Sequence, residues 1–307
     1  MFRPDRRTAW YVAAILLTSL IVIPQLHQFR GSMTTLRDAE LAWLLLGVVA
    51  MSTTVAAAAA VYVILVPQSL NYPRTALIQT ATHLTNRFIP AGLGGIGVNA
   101  LYLVKQVGLS RTEAGVYATA NNIVGFVAFS LTLLLISFAT NHSVDLPALP
   151  ISRILLALGA LTALVIVAAL LRRSFQKRLV DFVGHLLGVL LTIIQHPWRL
   201  LLALLCSCLI TLGYLTVFWA ALKSVGIELE PLQLSVAFLA GNAALSVSPT
   251  PGGLGAVEAA LTASLISMDV PAPHALSAIL LYRFISYWLP IVPGALALRR
   301  AVHHDYI

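Results

Sequence analysis

The fold is decided by residues 41–66, which read LAWLLLGVVAMSTTVAAAAAVYVILV. This stretch carries no charged side chain, and as a helix it is long enough to cross a hydrocarbon core about 30 Å thick. Apolar blocks of similar length recur along the chain, and each is bounded by charged, proline-containing or polar segments. We therefore predict an all-α polytopic membrane protein with six full spans, at 8–26, 41–66, 114–140, 154–171, 200–222 and 275–298.

The composition excludes a soluble protein. Hydrophobic residues make up 59% of the 307-residue chain and charged residues 10%, whereas soluble domains carry about 25% charged residues. Residues 8–26 follow a basic N-terminal segment, as the core of a signal peptide does, but no small-x-small cleavage site with a soluble domain follows them. We expect a retained first span and a single integral membrane domain over residues 1–307.

Two further apolar stretches, 75–103 and 234–268, are broken at their centres by proline and glycine. The first contains IPAGLGGIG at 89–97 and the second SPTPGGLG at 248–255. A broken helix at membrane depth is tolerated only where protein or a water-filled cavity satisfies the freed backbone groups. We predict two re-entrant hairpins, the alternative being pairs of short kinked full spans. The residues predicted to break the backbone are Pro90, Gly94, Gly95, Gly97, Pro249, Pro251, Gly252, Gly253 and Gly255.

The distribution of basic residues predicts the topology. With both hairpins re-entrant, thirteen of the 19 Lys and Arg residues fall on cytoplasmic segments, four on outer segments, and Arg87 and Arg283 inside the membrane. Both termini are then cytoplasmic. Residues 141–199 would form an outer loop, a span, a basic linker and an interfacial helix at 179–195. The linker is either a topology signal or a binding site for anionic lipid headgroups.

The two broken stretches also indicate an internal repeat. Residues 94–97 (GGIG) align with 252–255 (GGLG), and a half-helix and then a long span follow each motif. Because the hairpins enter from opposite sides, 41–140 and 200–300 would form an inverted repeat, the arrangement in which transporters place a substrate site near the midplane. Half-helices starting beyond Gly97 and Gly255 would present N–H donors there. Chance similarity of glycine-rich turns is the alternative.

Polar side chains at membrane depth mark the candidate site, because charges there are costly and usually functional. Glu258 and Arg283 have opposite charges and both belong to the second repeat, so one interpretation is a structural ion pair. The other is that Arg87 and Arg283 hold an anionic headgroup, with Glu258 as counter-charge or proton site. The complete set of candidate substrate-binding residues is Arg87, Glu258, Arg283, Asn86, Asn99, Asn121, Asn122 and Asn242.

Other chemistry has little support in the sequence. The histidines lack metal-ligand spacing, and Cys206 and Cys208 lie two residues apart in an apolar run. The chain also contains no nucleotide-binding loop of the Walker type and no paired acidic motif of a membrane glycosyltransferase. We expect no metal, no cofactor and no catalytic residue. The net charge of +8 follows from the cytoplasmic bias of basic residues, so nucleic acid is not an expected partner.

Three motifs carry a resemblance to a known family: PTPGGLGAVE at 249–258, LYRF at 281–284 and WLP at 288–290. They resemble the C-terminal signature of the flippase-like membrane domain of lysylphosphatidylglycerol synthases, the multiple peptide resistance factors, which also has stand-alone relatives. The resemblance spans nearly the whole chain. It implies translocation of a lipid from the inner to the outer leaflet, with Glu258 and Arg283 as the charged positions of the second repeat.

The first repeat departs from the family pattern. Gly94-Gly95 and Asn99 stand where the family tends to show a glycine-acid pair and a basic residue, and Asn121-Asn122 stand where an acid-arginine pair is often seen. The soluble synthase domain does not follow the last span before Ile307. We therefore expect a protein that moves lipid and does not synthesise it, and the resemblance leaves the substrate open.

The expected function is that of a flippase or transporter in the cell membrane, not an enzyme. Its substrate would be a phospholipid, an aminoacylated phospholipid or a polyprenyl-linked glycolipid. The alternatives are a membrane-embedded lipid-modifying enzyme and a non-transporting partner of a glycosyltransferase or synthase. Besides the lipid substrate and the bilayer, the candidate partners are a second copy of the chain and a lipid-synthesising enzyme.

Overall fold

The computed structural model describes residues 39–89, 93–140, 173–248 and 250–307. Within these ranges the chain is helical and contains no β-strand, which confirms the all-α prediction. The helices are α1 (Leu41–Leu65), α2 (Tyr72–Phe88), α3 (Leu93–Val107), α4 (Arg111–Ala139), α5 (Arg173–Gln195), α6 (Pro197–Lys223), α7 (Pro231–Val247), α8 (Ala256–Ile266), α9 (Ala272–Arg283) and α10 (Ile291–His303).

Four helical segments in the described ranges are long and apolar enough to cross a membrane: α1, α4, α6 and the joined α9–α10 segment at Ala272–His303. Each matches a predicted span, and the chain is a membrane protein with several spanning helices. The predicted spans at 8–26 and 154–171 and the outer loop lie outside the described residues. The predicted interfacial helix at 179–195 is the second part of α5.

Helices α1 and α6 form the central packed pair. Gly213 of α6 lies so close to α1 that an added Cβ would stand 2.4 Å from the Thr54 methyl group and 3.2 Å from the Ala50 carbonyl oxygen. Small residues at such crossings let helix backbones approach, which is how helices associate in lipid. Trp43 and Trp219 pack edge to face with their ring centroids 5.1 Å apart. This pair forms the frame to which both broken helices attach.

Helices α2 and α3 form the first hairpin. Its open end holds Leu70 and Leu109 in one apolar cluster with Val66, the residue that follows α1. Nearby, Arg74 at the start of α2 donates to Gln106 at the end of α3 at 3.3 Å. The chain therefore enters through α2 and returns through α3 to the same end of α1.

Helices α7 and α8 form the second hairpin, and it opens at the other end of α1. Ile227 and Val270, which flank this hairpin, belong to one apolar cluster. The backbone N–H of Glu40, just before α1, donates to the carbonyl of Ser224 at 2.9 Å, so the start of α1 lies at this end. The two hairpins thus approach the centre from opposite ends. The assignment of 41–140 and 200–300 as sequence repeats stays a prediction.

The last span was predicted as one helix over 275–298, and the structure divides it. Residues Phe284–Trp288 form a π turn between α9 and α10. On the C-terminal side of this turn, α10 crosses α2 at Gly294, where an added Cβ would be 3.1 Å from the Thr80 carbonyl oxygen. The last span therefore contacts the first hairpin at the level where α2 approaches its break.

Candidate functional site

The second helix break reverses the chain through three glycines. Gly252, Gly253 and Gly255 have φ angles of 59°, 69° and 84°, in the left-handed region that glycine adopts without steric cost. Helix α8 begins at the next residue, Ala256. In its first turn Glu258 accepts the N–H of Gly255 through Oε2 at 2.7 Å. A carboxylate in this position is stabilised by the positive end of the helix dipole.

Arg283 ties the second break to the last span. Its Nε donates to Glu258 Oε1 at 2.6 Å and its Nη2 to the Gly252 carbonyl at 2.9 Å. The two charged side chains are about nine-tenths buried, so each compensates a charge that would be costly alone. The sequence placed Arg283 near the beginning of the last span. In the structure it ends α9, immediately before the π turn.

The first helix break is stabilised by a neutral side chain. Asn86, near the end of α2, accepts the N–H of Gly95 through Oδ1 at 2.5 Å. It therefore satisfies one of the free N–H groups in the first turn of α3. The two helices meet closely here, because a Cβ on Gly94 would lie 2.4 Å from the Thr85 carbonyl oxygen.

The position of the first break differs from the expectation. We expected the half-helix to begin beyond Gly97, but α3 begins at Leu93, and none of Gly94, Gly95 and Gly97 has a positive φ. Gly94 and Gly95 instead allow α2 to approach, whereas a Cβ on Gly97 would meet no atom of the described residues within 4 Å. The physical reason is that Asn86 caps α3 from α2, so Gly94 and Gly95 lie inside the first turn of the helix. Pro90 and Pro249 lie outside the described residues.

The π turn leaves backbone carbonyls in need of donors. Leu289 donates its N–H to the carbonyl of Phe284 at 2.8 Å, five residues earlier. The next residue, Pro290, has no N–H, so it cannot satisfy the carbonyl of Ser286 four residues before it. Local π turns of this kind are frequent at functional sites.

Arg87 of α2 supplies those donors. Its Nη2 donates to the Ser286 carbonyl at 2.5 Å and its Nε to the Tyr287 carbonyl at 2.9 Å. Nη1 donates to the carbonyl of His83. Arg87 as a whole residue is 7% exposed, and it has no ion pair among the described residues. Its positive charge is therefore stabilised by carbonyl dipoles and is not balanced by a carboxylate.

Tyr287 brings the two arginines together. The Arg283 guanidinium lies 4.4 Å and the Arg87 guanidinium 5.3 Å from the centre of its ring, distances at which a ring attracts a cation. Gly252 allows this arrangement, because a Cβ there would stand 2.1 Å from Cε2 of Tyr287. The two halves of the chain thus meet around one aromatic ring.

These groups border a cavity of about 680 Å³ between the two hairpins, α1, α4 and α6. This is within the range of about 300 to 1,000 Å³ that is usual for ligand sites. Glu258 does not line the cavity, but it contacts Arg283, which does. Seven of the eight predicted substrate-binding residues line the cavity: Arg87, Arg283, Asn86, Asn99, Asn121, Asn122 and Asn242.

The amides have different environments. Both ends of the Asn99 amide form hydrogen bonds within the protein: its Nδ2 donates to the Gly95 carbonyl at 2.9 Å and its Oδ1 accepts from Gln79 at 2.7 Å. Asn242 donates to the carbonyl of Phe238 at 2.9 Å. The neighbouring Asn121 and Asn122 of α4 make no side-chain hydrogen bond within the described parts of the chain, although both line the cavity.

Sequence reasoning missed several residues of this site. Tyr287, Ser286 and Gln79 looked like ordinary polar residues of a span, and no charge or motif distinguished them. Pro290, quoted above within a family motif, was the available signal for the unsatisfied carbonyl of Ser286. Further cavity residues that the sequence did not single out are Tyr62, Thr82, Thr211, Tyr214 and Tyr282.

Comparison with protein families gives the same assignment as the motifs. Residues 10–294 match the family model described as the lysylphosphatidylglycerol synthase transmembrane region. The chain belongs to this family. The match includes both hairpins and every lining residue of the cavity, so the site lies in the part of the chain that this transmembrane-region family shares.

A relative of this transmembrane-region protein occurs in an archaeon. It is a UPF0104 membrane protein of Pyrococcus horikoshii, 23% identical over 242 residues, which are 69% of this chain and 72% of the relative. The likeness therefore extends over most of both proteins. The description of the relative names a membrane protein and no substrate.

Proposed function

We propose that the protein moves a lipid between the two leaflets of the cell membrane and binds its anionic headgroup in the cavity between the hairpins. The observation that carries this proposal is the meeting of two buried guanidinium groups, from different halves of the chain, at the wall of one cavity. Guanidinium groups stay charged at any accessible pH and bind phosphate through paired donors.

The charge balance supports an anionic headgroup. The charge of Arg283 is compensated by Glu258 at 2.6 Å. Arg87 is held by three backbone carbonyls and adds a positive charge without a carboxylate partner in the described structure. The cavity therefore carries an excess of about one positive charge, which one phosphodiester would neutralise.

The arrangement of the hairpins supports transport. They open toward opposite ends of α1 and bring their breaks to a common cavity, the geometry expected of a site that is reached alternately from each side. In our proposal the open end of the first hairpin faces the cytoplasm and both termini are cytoplasmic. Family membership supports a lipid as the transported molecule, because the family is described as the transmembrane region of lysylphosphatidylglycerol synthase, an enzyme of lipid synthesis.

The direct test uses purified protein in liposomes that contain a trace of fluorescent phosphatidylglycerol. A reagent that destroys fluorescence only in the outer leaflet should consume the inner-leaflet pool in vesicles with protein and spare it in protein-free vesicles. Mass spectrometry of the recovered lipid should find it unchanged. Persistent inner-leaflet fluorescence would contradict transport, and a chemically altered lipid would indicate an enzyme.

A further inference from the structure

Besides the two arginines, the cavity is lined by the neutral amides of asparagine side chains, including Asn86, Asn121, Asn122 and Asn242. Asn121 and Asn122 are adjacent on α4, and neither side chain has a hydrogen-bond partner in the described ranges. Asn86 uses only its Oδ1, for Gly95, and Asn242 only its Nδ2, for Phe238. The cavity thus offers several donors and acceptors that the folded chain leaves unused, and they carry no charge.

Among the described residues, the same cavity offers no carboxylate to a cation. Glu258 does not line it, and its two oxygens accept hydrogen bonds from Arg283 and from the N–H of Gly255. No other Asp or Glu in the described parts of the chain lines the cavity. An ammonium group on a ligand would meet two guanidinium groups and amides, and like charges in a partly desolvated site repel strongly.

The volume indicates that the ligand has more than a phosphate. A cavity of about 680 Å³ equals the liquid volume of about twenty water molecules at about 30 Å³ each. A phosphate at the arginines would fill only part of this space, and Asn121 and Asn122 are among the residues that line the cavity. A group that exchanges hydrogen bonds with neutral amides fits that space, and such groups are hydroxyls.

Building on the proposed lipid transport, we propose that this site selects a lipid with one phosphodiester and an uncharged, hydroxyl-rich headgroup, a polyol or a sugar. The phosphodiester binds at Arg283 and Arg87, and the hydroxyls bind the amides of Asn121 and Asn122. Headgroups that carry an ammonium, including aminoacylated ones, are selected against. The neutral amides of α4 therefore determine specificity, whereas the arginines determine that an anion binds.

The test compares two lipids in the same vesicles. Phosphatidylglycerol and lysyl-phosphatidylglycerol with matched acyl chains carry fluorophores of different colour, and a second preparation exchanges the colours. The ratio of the two translocation rates cancels differences in protein amount and folding. We expect phosphatidylglycerol to move at least about tenfold faster, which corresponds to about 1.4 kcal/mol of selectivity.

A carboxylate on α4 should reverse part of this preference. Asn121→Asp adds an acceptor for an ammonium and should lower the ratio severalfold, whereas Asn121→Ser, which loses the amide but adds no charge, should lower it less. Equal rates in the unaltered protein, or an Asn121→Asp ratio like that of Asn121→Ser, would overturn the specificity while leaving transport intact. Failure to move either lipid would overturn the proposed function and this inference together.

Discussion

The two helix breaks differ in how they satisfy the free backbone N–H groups of the half-helix that follows. At the second break three left-handed glycines reverse the chain, and the charged Glu258 caps the new helix. At the first break the neutral Asn86 caps the new helix from the preceding one, and none of Gly94, Gly95 and Gly97 has a positive φ. One break is thus built around a carboxylate and the other around an amide.

This difference shows how the charge of the cavity arises. The second half contributes Glu258 and Arg283 together, so its break is neutral as a unit. The first half contributes Arg87, which has no acidic partner among the described residues, and the π turn of the last span stabilises it with carbonyl groups. The second half therefore supplies a balanced framework, and the first half supplies the positive charge that an anionic ligand would meet.

If the two hairpins enter from opposite sides, their open ends lie on opposite faces of the membrane. Labelling of single cysteines by a membrane-impermeant reagent tests this, because each position should react from one face only. In a background lacking Cys206 and Cys208, Ser69→Cys and Thr112→Cys should react from the cytoplasm only. Glu228→Cys and Ser267→Cys should react from outside only. These positions are exposed, whereas Leu70, Ile227 and Val270 beside them are buried. Reaction of positions 69 and 112 from opposite sides would make the first hairpin a full crossing.

The next largest effect concerns the balanced ion pair of the second break. Glu258→Ala leaves Arg283 buried without its partner, which should destabilise the protein by about 3 to 5 kcal/mol. A Glu258→Gln, Arg283→Met double variant removes both charges and should recover most of the stability but not transport. Thermal unfolding in detergent and the liposome assay measure the two properties. Normal transport by the folded double variant would assign the pair to structure alone.

Glycine substitutions should separate close approach from general packing. Gly94→Ala places a methyl group against the Thr85 carbonyl, and Gly252→Ala combines a left-handed φ with contact to Tyr287. Each should cost about 1 to 3 kcal/mol. Gly97→Ala, in the same helix as Gly94 but facing open space, should instead stabilise the protein by up to about 1 kcal/mol. Unfolding temperatures of the three variants provide the comparison.

A different pattern would point to another cause. Equal losses in Gly94→Ala and Gly97→Ala would show that α3 as a whole tolerates no side chain at these positions. Gly47, a glycine within α1, would be a less suitable control. In the structure an added Cβ there lies 3.0 Å from Ile285, so it also packs closely and serves less well than Gly97.

The sequence predicted most of the framework, because the physics that produces it is local. An apolar block such as 41–66 must be helical in lipid, and a charge such as Arg87 is conspicuous in an apolar chain. What Arg87 binds was not predictable, since its partners lie in a π turn 199 and 200 residues away. That turn depends on the packing of α9 and α10, which periodicity does not reveal.

The smallest effect comes from giving the first break the chemistry of the second. Asn86→Ala removes the cap of α3 and should cost about 1 kcal/mol. Asn86→Asp keeps the acceptor and places a negative charge at a helix N-terminus, so stability should be unchanged or slightly higher. Because the carboxylate offsets the charge of Arg87, transport of an anionic lipid should fall severalfold. Faster transport by Asn86→Asp would contradict the charge assignment.

Lipid transport by Arg87→Gln tests most directly whether the positive charge of Arg87 is needed to bind an anionic headgroup. Glutamine places its amide nitrogen near the position of Arg87 Nε, so it can still donate to the Tyr287 carbonyl while carrying no charge. It loses the donor to the Ser286 carbonyl, so stability and transport are measured separately. Stability is measured by thermal unfolding, and translocation of fluorescent phosphatidylglycerol is measured in liposomes. We expect a folded variant whose transport falls by about tenfold or more, the equivalent of about 1.4 kcal/mol. A folded Arg87→Gln variant that moves phosphatidylglycerol at the unaltered rate would contradict this expectation.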